Sequence, residues 1–317
     1  MSKPMTNPFY SIIIPMHNEE GNVRRLHEEL VPVLDALDKK WEIIYINDGS
    51  KDATLSRLLN LKNATIIDLN RQYGQATALD CGFKSAQGEI VISMDGDLQN
   101  SPHDIPKMLK ILETQEVDVV CGWRKKRQDD KGIRILTRTA RVFRNLIIDD
   151  KIHDTGCTLR IYRKEAVKSL DLWGEMHRYI VPLLIWKGFR ITEVVVDHRP
   201  RVEGKTKYNY SKAIRGFLDL IYIWFIRKYY QRPLHVYGYI GLLFMFTGFL
   251  AESVALYGKI LQHLSLNRNG WFYTGFFFIT IGIIFLSFGI TLDLIIKTYL
   301  NTSPFEKRYH IRKITKK

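Results

Sequence analysis

Cysteine is scarce in this sequence. Cys81, Cys121 and Cys157 stand far apart, in no metal-ligand spacing. That argues against a cysteine-built zinc site. Their odd number argues against a disulfide framework and fits a reducing compartment. All three read as small buried hydrophobes. Glycine-rich phosphate motifs are missing too. No Gly-x-Gly-x-x-Gly follows the first apolar run and no Gly-x-x-x-x-Gly-Lys-Ser/Thr occurs, which weakens the usual dinucleotide and P-loop readings. An N-terminal signal peptide is not expected, because Met1 to Pro8 is polar and the run after it, Tyr10 to Met16, is short. Acid is outnumbered, 33 residues against 47 basic ones, for a net charge of +14. Such an excess implies an anionic partner: nucleic acid, a phosphorylated substrate or an anionic lipid surface.

What is present begins with alternation. At 317 residues, one large domain or two are expected. Strands are predicted at Tyr10 to Pro15, Trp41 to Ile46, Thr65 to Leu69 and Gly88 to Met94. Helices are predicted between them, at Val23 to Leu37, Lys51 to Leu61 and from Gly74 to Ala86. This order predicts an α/β fold with a parallel, doubly wound sheet. Each predicted strand end carries polar residues: Asn18, Glu19 and Glu20; Asp48 and Ser50; Arg71; Asp95 and Asp97. Clusters at successive carboxyl ends converge on one crevice in such a sheet.

The stretch Ile90 to Pro102 organises the rest. An apolar run ends in Asp95-Gly96-Asp97, with Gln99 just beyond. Two carboxylates this close repel unless a cation lies between them. Oxygen donors at a strand end suit Mg²⁺ or Mn²⁺ shared with substrate phosphates, and Gly96 lets the backbone approach closely. The plain alternative is a solvated turn.

Two long apolar runs lie near the other end, Leu234 to Ala251 and Trp271 to Leu292. Each is long enough for a bilayer span of about 20 residues. Tyr237, Tyr239, Trp271 and Tyr273 are placed as interfacial anchors. The link between the runs holds only Lys259 and Arg268, whereas the tail after Leu300 holds six basic residues. The positive-inside rule then predicts a hairpin with tail and N-terminal part both cytoplasmic. A helical hairpin buried in a protein core is the alternative.

The motifs Ile-Pro-Met-His-Asn-Glu-Glu, Asn-Asp-Gly-Ser, Asn-Arg-Gln-Tyr-Gly and Asp-Gly-Asp-Leu-Gln together resemble the family 2 glycosyltransferases of GT-A fold. The chain looks most like their polyprenyl-phosphate branch, the group with dolichol-phosphate mannose synthase and the bacterial GtrB-type glucosyltransferases. The resemblance runs from about Tyr10 to the tail. It implies nucleotide-sugar contacts at Pro15, Asn18, Glu20, Asp48, Ser50, Arg71, Asp95 and Gly96. It implies metal ligation by Asp95, Asp97 and Gln99, with Mg²⁺ or Mn²⁺ as cofactor. Asn47 stands where the family often has a first Asp, which leaves one carboxylate fewer at the base.

The second half supplies cations. Arg124 follows a predicted strand, Val119 to Trp123, and Arg134, Arg138, Arg141 and Arg144 follow at spacings of four, three and three, roughly one helical face. A solvated basic face against lipid heads is the alternative there. By resemblance, Arg124, Arg138, Arg201 and Lys207 surround the acceptor phosphate, with Arg199 a weaker candidate. Ile152-His-Asp-Thr-Gly-Cys-Thr-Leu-Arg160 resembles the family's acceptor loop, which implies a place near the reacting centre for Asp154 and makes it, with Asp97, a catalytic candidate. His177 reads as structural or functional alike. The expected organisation is a GT-A domain over 1–208, amphipathic interfacial helices over 209–233, a transmembrane hairpin over 234–300 and a basic tail over 301–317.

The expected activity is inverting transfer of a hexose, glucose from UDP-glucose, to polyprenyl (undecaprenyl) phosphate. The expected site is the cytoplasmic face of the inner membrane, with no nucleic-acid partner and a homo-oligomeric assembly. A processive polysaccharide synthase would need a Gln-x-x-Arg-Trp motif, which the sequence lacks. A non-enzymatic basic membrane adaptor would leave the Asp95/Asp97/Gln99 array unexplained.

Overall fold

A computed structural model describes residues 8–125, 152–200, 233–263 and 265–302. The chain divides into two compact units, Met1–Ile214 and Arg215–Lys317. Arg138, Arg201, Lys207, the arginines around Arg138 and the amphipathic stretch after 208 lie outside the described residues.

In the first unit, β-branched runs become buried strands. β1 (Tyr10–Met16), β2 (Trp41–Asn47), β3 (Thr65–Asp68) and β4 (Ile90–Ser93) pair in parallel, as do two of the later strands. β5 (Val119–Trp123), β6 (Arg160–Arg163) and β7 (Ile191–Val195) extend it. The described strands run in the order β3-β2-β1-β4-β6-β5-β7. β6 is antiparallel to both β4 and β5. No strand is expected there from the sequence, because four residues with arginine at both ends carry almost no periodic signal.

Helices cover both faces: α1 (Val23–Asp35), α2 (Thr54–Leu59), α3 (Gln75–Ser85), α4 (Ile105–Thr114), α5 (Lys164–Lys168) and α6 (Ile180–Trp186). Ile12, Ile14 and Met16 pack with Leu26 and Leu30 of α1 and Met108 of α4. Ile13 points the other way, to Leu79 and Phe83 of α3. The period-two alternation of a strand thus feeds two cores. Each buried Ile or Leu contributes about 1.5–3 kcal/mol.

α2 is shorter than the expected Lys51 to Leu61, for a local reason. The Asp52 carboxylate accepts from the backbone N–H and hydroxyl of Thr54 (3.0 and 2.5 Å), and Lys51 N–H donates to Asn18 Oδ1 (2.8 Å). These bonds hold 51–53 as a turn rather than a helix. Gly49 before it has φ of +60°, and a Cβ there would lie 2.9 Å from Arg71 Cα. The Asn-Asp-Gly-Ser motif needs its glycine for both reasons.

The second unit is a pair of long helices, α7 (Pro233–Gln262) and α8 (Gly270–Thr302), both long and apolar enough to cross a membrane. They pack antiparallel through glycine. A Cβ on Gly241 would stand 2.7 Å from the Gly282 carbonyl oxygen, and one on Gly248 2.8 Å from that of Gly275. Small residues let the two backbones approach this closely. Leu242, Phe246, Phe249, Phe276 and Phe277 point outward and are exposed. Within this unit no described residue covers these side chains, whereas a hairpin buried in a protein core would hide them.

Candidate active site

The carboxyl ends of β1, β2 and β4 and the start of α3 converge as the alternation predicts. One cleft is lined by Pro15, Met16, His17, Glu19, Asp48, Gln72, Gly74, Gln75, Asp95, Gly96 and Asp97. Pro15, Asp48, Asp95, Gly96 and Asp97 are residues the sequence singles out. Asn18, Glu20, Ser50 and Arg71 are not among the lining side chains.

The first three of these fasten loop to loop. Asn18 sits at φ of 54°, and its N–H donates to Ser50 Oγ (3.0 Å). Glu20 Oε2 accepts from Ala53 N–H (2.9 Å), while the Glu20 carbonyl accepts from Arg57 (2.6 Å). Arg71 lies over the Tyr73 ring, 4.5 Å from its centroid. Asp48, buried, accepts from the N–H groups of Tyr73 (2.7 Å) and Gly74 (2.9 Å). It thereby holds the third loop against the second. His17 Nδ1–H donates to the Asp48 carbonyl (2.7 Å), which leaves Nε2 beside the Asn18 amide (3.2 Å).

Sequence reasoning missed Gln72 and Gln75 as cleft residues. Gln75 opens α3, and its amide donates to Asp95 Oδ1 (2.7 Å). Only proximity to Asn-Arg-Gln-Tyr-Gly marks it in the sequence. His17 and Glu19 lay within a recognised motif, but nothing in their spacing separates them from Asn18 and Glu20.

Asp95 and Asp97 sit on the turn after β4. Gly96 between them packs against Met16, with no room for a Cβ. Burial, then the Asp97 charge, push the Asp95 carboxyl up to about 6; a hydrogen bond from Thr158 and the Arg124 and Arg160 charges oppose the rise. Asp97 is buried and accepts from Gln99 N–H (3.1 Å). Two crowded carboxylates form an oxygen donor set that a divalent cation would relieve; Gln99, the third expected ligand, is not among the residues lining the cleft. Among the described residues, no three His, Cys, Asp or Glu side chains gather into a ligand set of their own. The fit is to a hard cation that completes its shell with phosphate and water oxygens, as Mg²⁺ and Mn²⁺ do.

Cations lie beyond the carboxylates. Arg124 and Asp154, both half-buried or better, form a two-pronged ion pair at 2.7 and 2.9 Å. Asp154 also accepts from Gly156 N–H (3.1 Å). The pairing brings together an expected phosphate-binding cation and an expected catalytic acid. Beside it Trp123 and His153 stack at 4.4 Å, and Glu193 accepts from the His153 N–H (2.8 Å) and ring. Arg160 is buried, and its guanidinium donates to the Thr155 carbonyl (2.6 Å). Arg199 is held by Glu29 of α1, through two bonds of 2.8 and 2.6 Å. His177 is shifted down to about 4, mainly by burial, as befits a neutral packed ring.

The glycosyl transferase family 2 pattern matches residues 11–171. The dodecaprenyl-phosphate galacturonate synthase of Rhizobium johnstonii is 34% identical, over 98% of this chain and 94% of its own. The undecaprenyl-phosphate 4-deoxy-4-formamido-L-arabinose transferase of Pseudomonas syringae pv. syringae is 30% identical, over 99% and 93%. Among solved structures, glucosyl-3-phosphoglycerate synthase from Mycobacterium tuberculosis, in complex with Mn²⁺, UDP and glucosyl-3-phosphoglycerate, superposes with a TM-score of 0.54. It is 18% identical, over 69% of this chain and 80% of that one. That likeness shows the fold, which is GT-A. With the pattern match spanning half the chain and relatives matching end to end, the chain belongs to glycosyl transferase family 2.

Proposed function

We propose that this enzyme transfers a sugar from a nucleotide sugar to polyprenyl phosphate at the cytoplasmic membrane face. One observation carries the reading: the Asp95/Asp97 pair lies in a cleft built by the strand-end loops of a chain whose relatives match it end to end. Those relatives' names contain dodecaprenyl phosphate and undecaprenyl phosphate. The apolar hairpin supports a membrane-bound acceptor.

The acceptor is a phosphate monoester, with a second pKa of about 6 as in phosphoserine. At pH 7 it is already a nucleophilic anion, so the chain need not supply a strong base. Its task is to place the two anions and compensate their charge. Asp95 and Asp97, with Gln99 beside them, would hold Mg²⁺ or Mn²⁺, which supplies charge neutralisation for the departing diphosphate. Gln75 orients Asp95 by donating to it. Asp48 holds the 73–74 backbone at the cleft wall. Arg124 is proposed as an acceptor-side residue, its guanidinium fixed and its charge offset by the two-pronged pair with Asp154. Arg138, Arg201 and Lys207 are proposed as further acceptor-phosphate cations. Attack opposite the leaving group inverts the anomeric centre.

For the sugar, the sequence reading is glucose from UDP-glucose, while the relatives' names print galacturonate and 4-deoxy-4-formamido-L-arabinose. The hairpin and basic tail support cytoplasmic termini, and association of protomers through the helices completes the proposal. The deciding experiment incubates the purified protein with UDP-glucose or UDP-galacturonate, a short polyprenyl phosphate and Mg²⁺ or Mn²⁺. A lipid product heavier by one sugar is expected. UDP release without that product would refute the acceptor.

A further inference from the structure

Among the described residues, Arg160 of β6 is the one lysine or arginine that is buried, at 2% exposure. A charge taken out of water destabilises the fold unless opposite charge compensates it.

The sheet register fixes its surroundings. Arg160 stands directly across from Ser93 in the antiparallel β4–β6 pair. Opposed residues present their side chains on one face, and a residue two steps along returns to that face. Ser93 comes two residues before Asp95. Tyr162, two residues after Arg160, marks which face this is. Its hydroxyl lies 3.3 Å from Ser93 Oγ, and its ring packs edge-on against Phe83 of α3 at 5.5 Å. Asp95 turns to the same helix, accepting from Gln75 at its start (2.7 Å). Arg160 and Asp95 thus share the α3 side of the sheet.

The groups around Arg160 are otherwise neutral. One guanidinium nitrogen donates to the Thr155 carbonyl (2.6 Å), and the buried Nε finds no acceptor among the described residues. Burial pushes the Cys121 and Cys157 thiols up, to about 12 and about 11, and raises the Tyr162 hydroxyl as well. None of the three carries charge at pH 7. Asp154, on the stretch leading to β6, is taken up by Arg124 at 2.7 and 2.9 Å. The Arg160 charge does act on the Asp95 carboxyl, favouring its ionised form.

We infer that Arg160 is a positioning residue, the buried counter-charge that holds the Asp95–Asp97 pair together before a divalent cation binds. It rests on the metal site proposed above. Arg160 and the metal then compete for the same negative charge, so Arg160 moderates how tightly the cation is held. The hydrogen bond to Thr155 ties this counter-charge to the stretch that carries Asp154.

The test uses the full-length protein in detergent and compares Arg160→Met, Arg160→Lys, Asp95→Asn and the double variant Asp95→Asn with Arg160→Met. Mn²⁺ affinity at saturating UDP is read from free Mn²⁺ by electron paramagnetic resonance. Thermal midpoints are read without metal. Arg160→Met should bind Mn²⁺ at least about threefold more tightly, since a like charge near the cation is gone, while Arg160→Lys stays within twofold of wild type. Without metal, Arg160→Met should melt below wild type and the double variant above Arg160→Met, because removing one carboxylate restores the balance. A role in hydrogen bonding alone predicts unmoved Mn²⁺ affinity and a double variant no more stable than Arg160→Met; either result overturns the inference. If Arg160→Met does not fold, a folded double variant supports the counter-charge and an unfolded one overturns it. A wild type that binds no Mn²⁺ beside UDP overturns the proposed metal site itself, and the thermal comparison then still decides the role of Arg160.

Discussion

The two units bury opposite kinds of residue. In the first, the interior is large and apolar: Tyr45, Phe83, Ile12, Leu26 and Leu30 are almost wholly hidden. In the second, the buried positions of α7 include Gly238, Gly241, Gly248, Ala251, Ala255 and Gly258, while phenylalanines and leucines face out. The same physics explains both. In water, apolar side chains gain by leaving the solvent. In hydrocarbon that gain vanishes between helices, and close backbone packing takes over. Each unit therefore shows which solvent its sequence suits.

The largest expected effect touches neither packing. Asp97→Asn should lower transfer at least about a hundredfold, in keeping with loss of a preorganised charged group at the reacting centre. Circular dichroism and the thermal midpoint should stay close to wild type. Near-normal turnover at saturating metal would remove Asp97 from the site.

The next pair of changes tries to break the contrast directly. Leu30→Ala, wholly buried between α1 and β1, should cost the first unit about 2–5 kcal/mol in denaturant unfolding. Phe276→Ala on α8, 65% exposed, should cost the protein less than about 1 kcal/mol in a bilayer mimic. Equal costs would mean that the outward aromatics of the hairpin are packed against protein rather than lipid.

A smaller effect concerns pH and only the first unit. His177 is shifted down to about 4 when folded, against an ordinary value near 6.5. The unfolded chain therefore binds the proton more readily, so stability falls as pH drops from about 6.5 to 4, by at most about 3 kcal/mol. His177→Leu should flatten urea-measured stability in that window. An unchanged slope would assign the acid sensitivity to other groups.

The last change lies in the glycine seam of the second unit. Gly248→Leu pushes a side chain against Ile279 and the Gly275 carbonyl, each within 2.8 Å of the added Cβ. It should cost the helix pair about 1–3 kcal/mol. UDP affinity of the first unit should be unaltered. A hairpin that unfolds in lipid at the wild-type midpoint would show that the seam carries no stability.

Much of this protein is determined by its sequence alone, because local periodicity is local physics. β-branched runs between amphipathic segments specify strands and helices, and alternation specifies their layering. Polar clusters after Pro15, Ile46 and Met94 had to meet at one edge of such a sheet. The two apolar runs specified a helix pair suited to lipid. What only the tertiary structure decided is where each polar side chain points and whom it meets. Asn18, Glu20 and Asp48 look alike in sequence, yet all three lock neighbouring loops and only Asp48 of the three also reaches the cleft wall. Arg124 and Asp154 are 30 residues apart, and Arg199 and Glu29 are 170 apart, so neither pair leaves a periodic trace. The insertion of β6 between β4 and β5 is also a decision of pairing rather than propensity. Charge partners and strand neighbours are set by long-range contact, and a one-dimensional pattern carries only the contacts that recur at a fixed step along the chain.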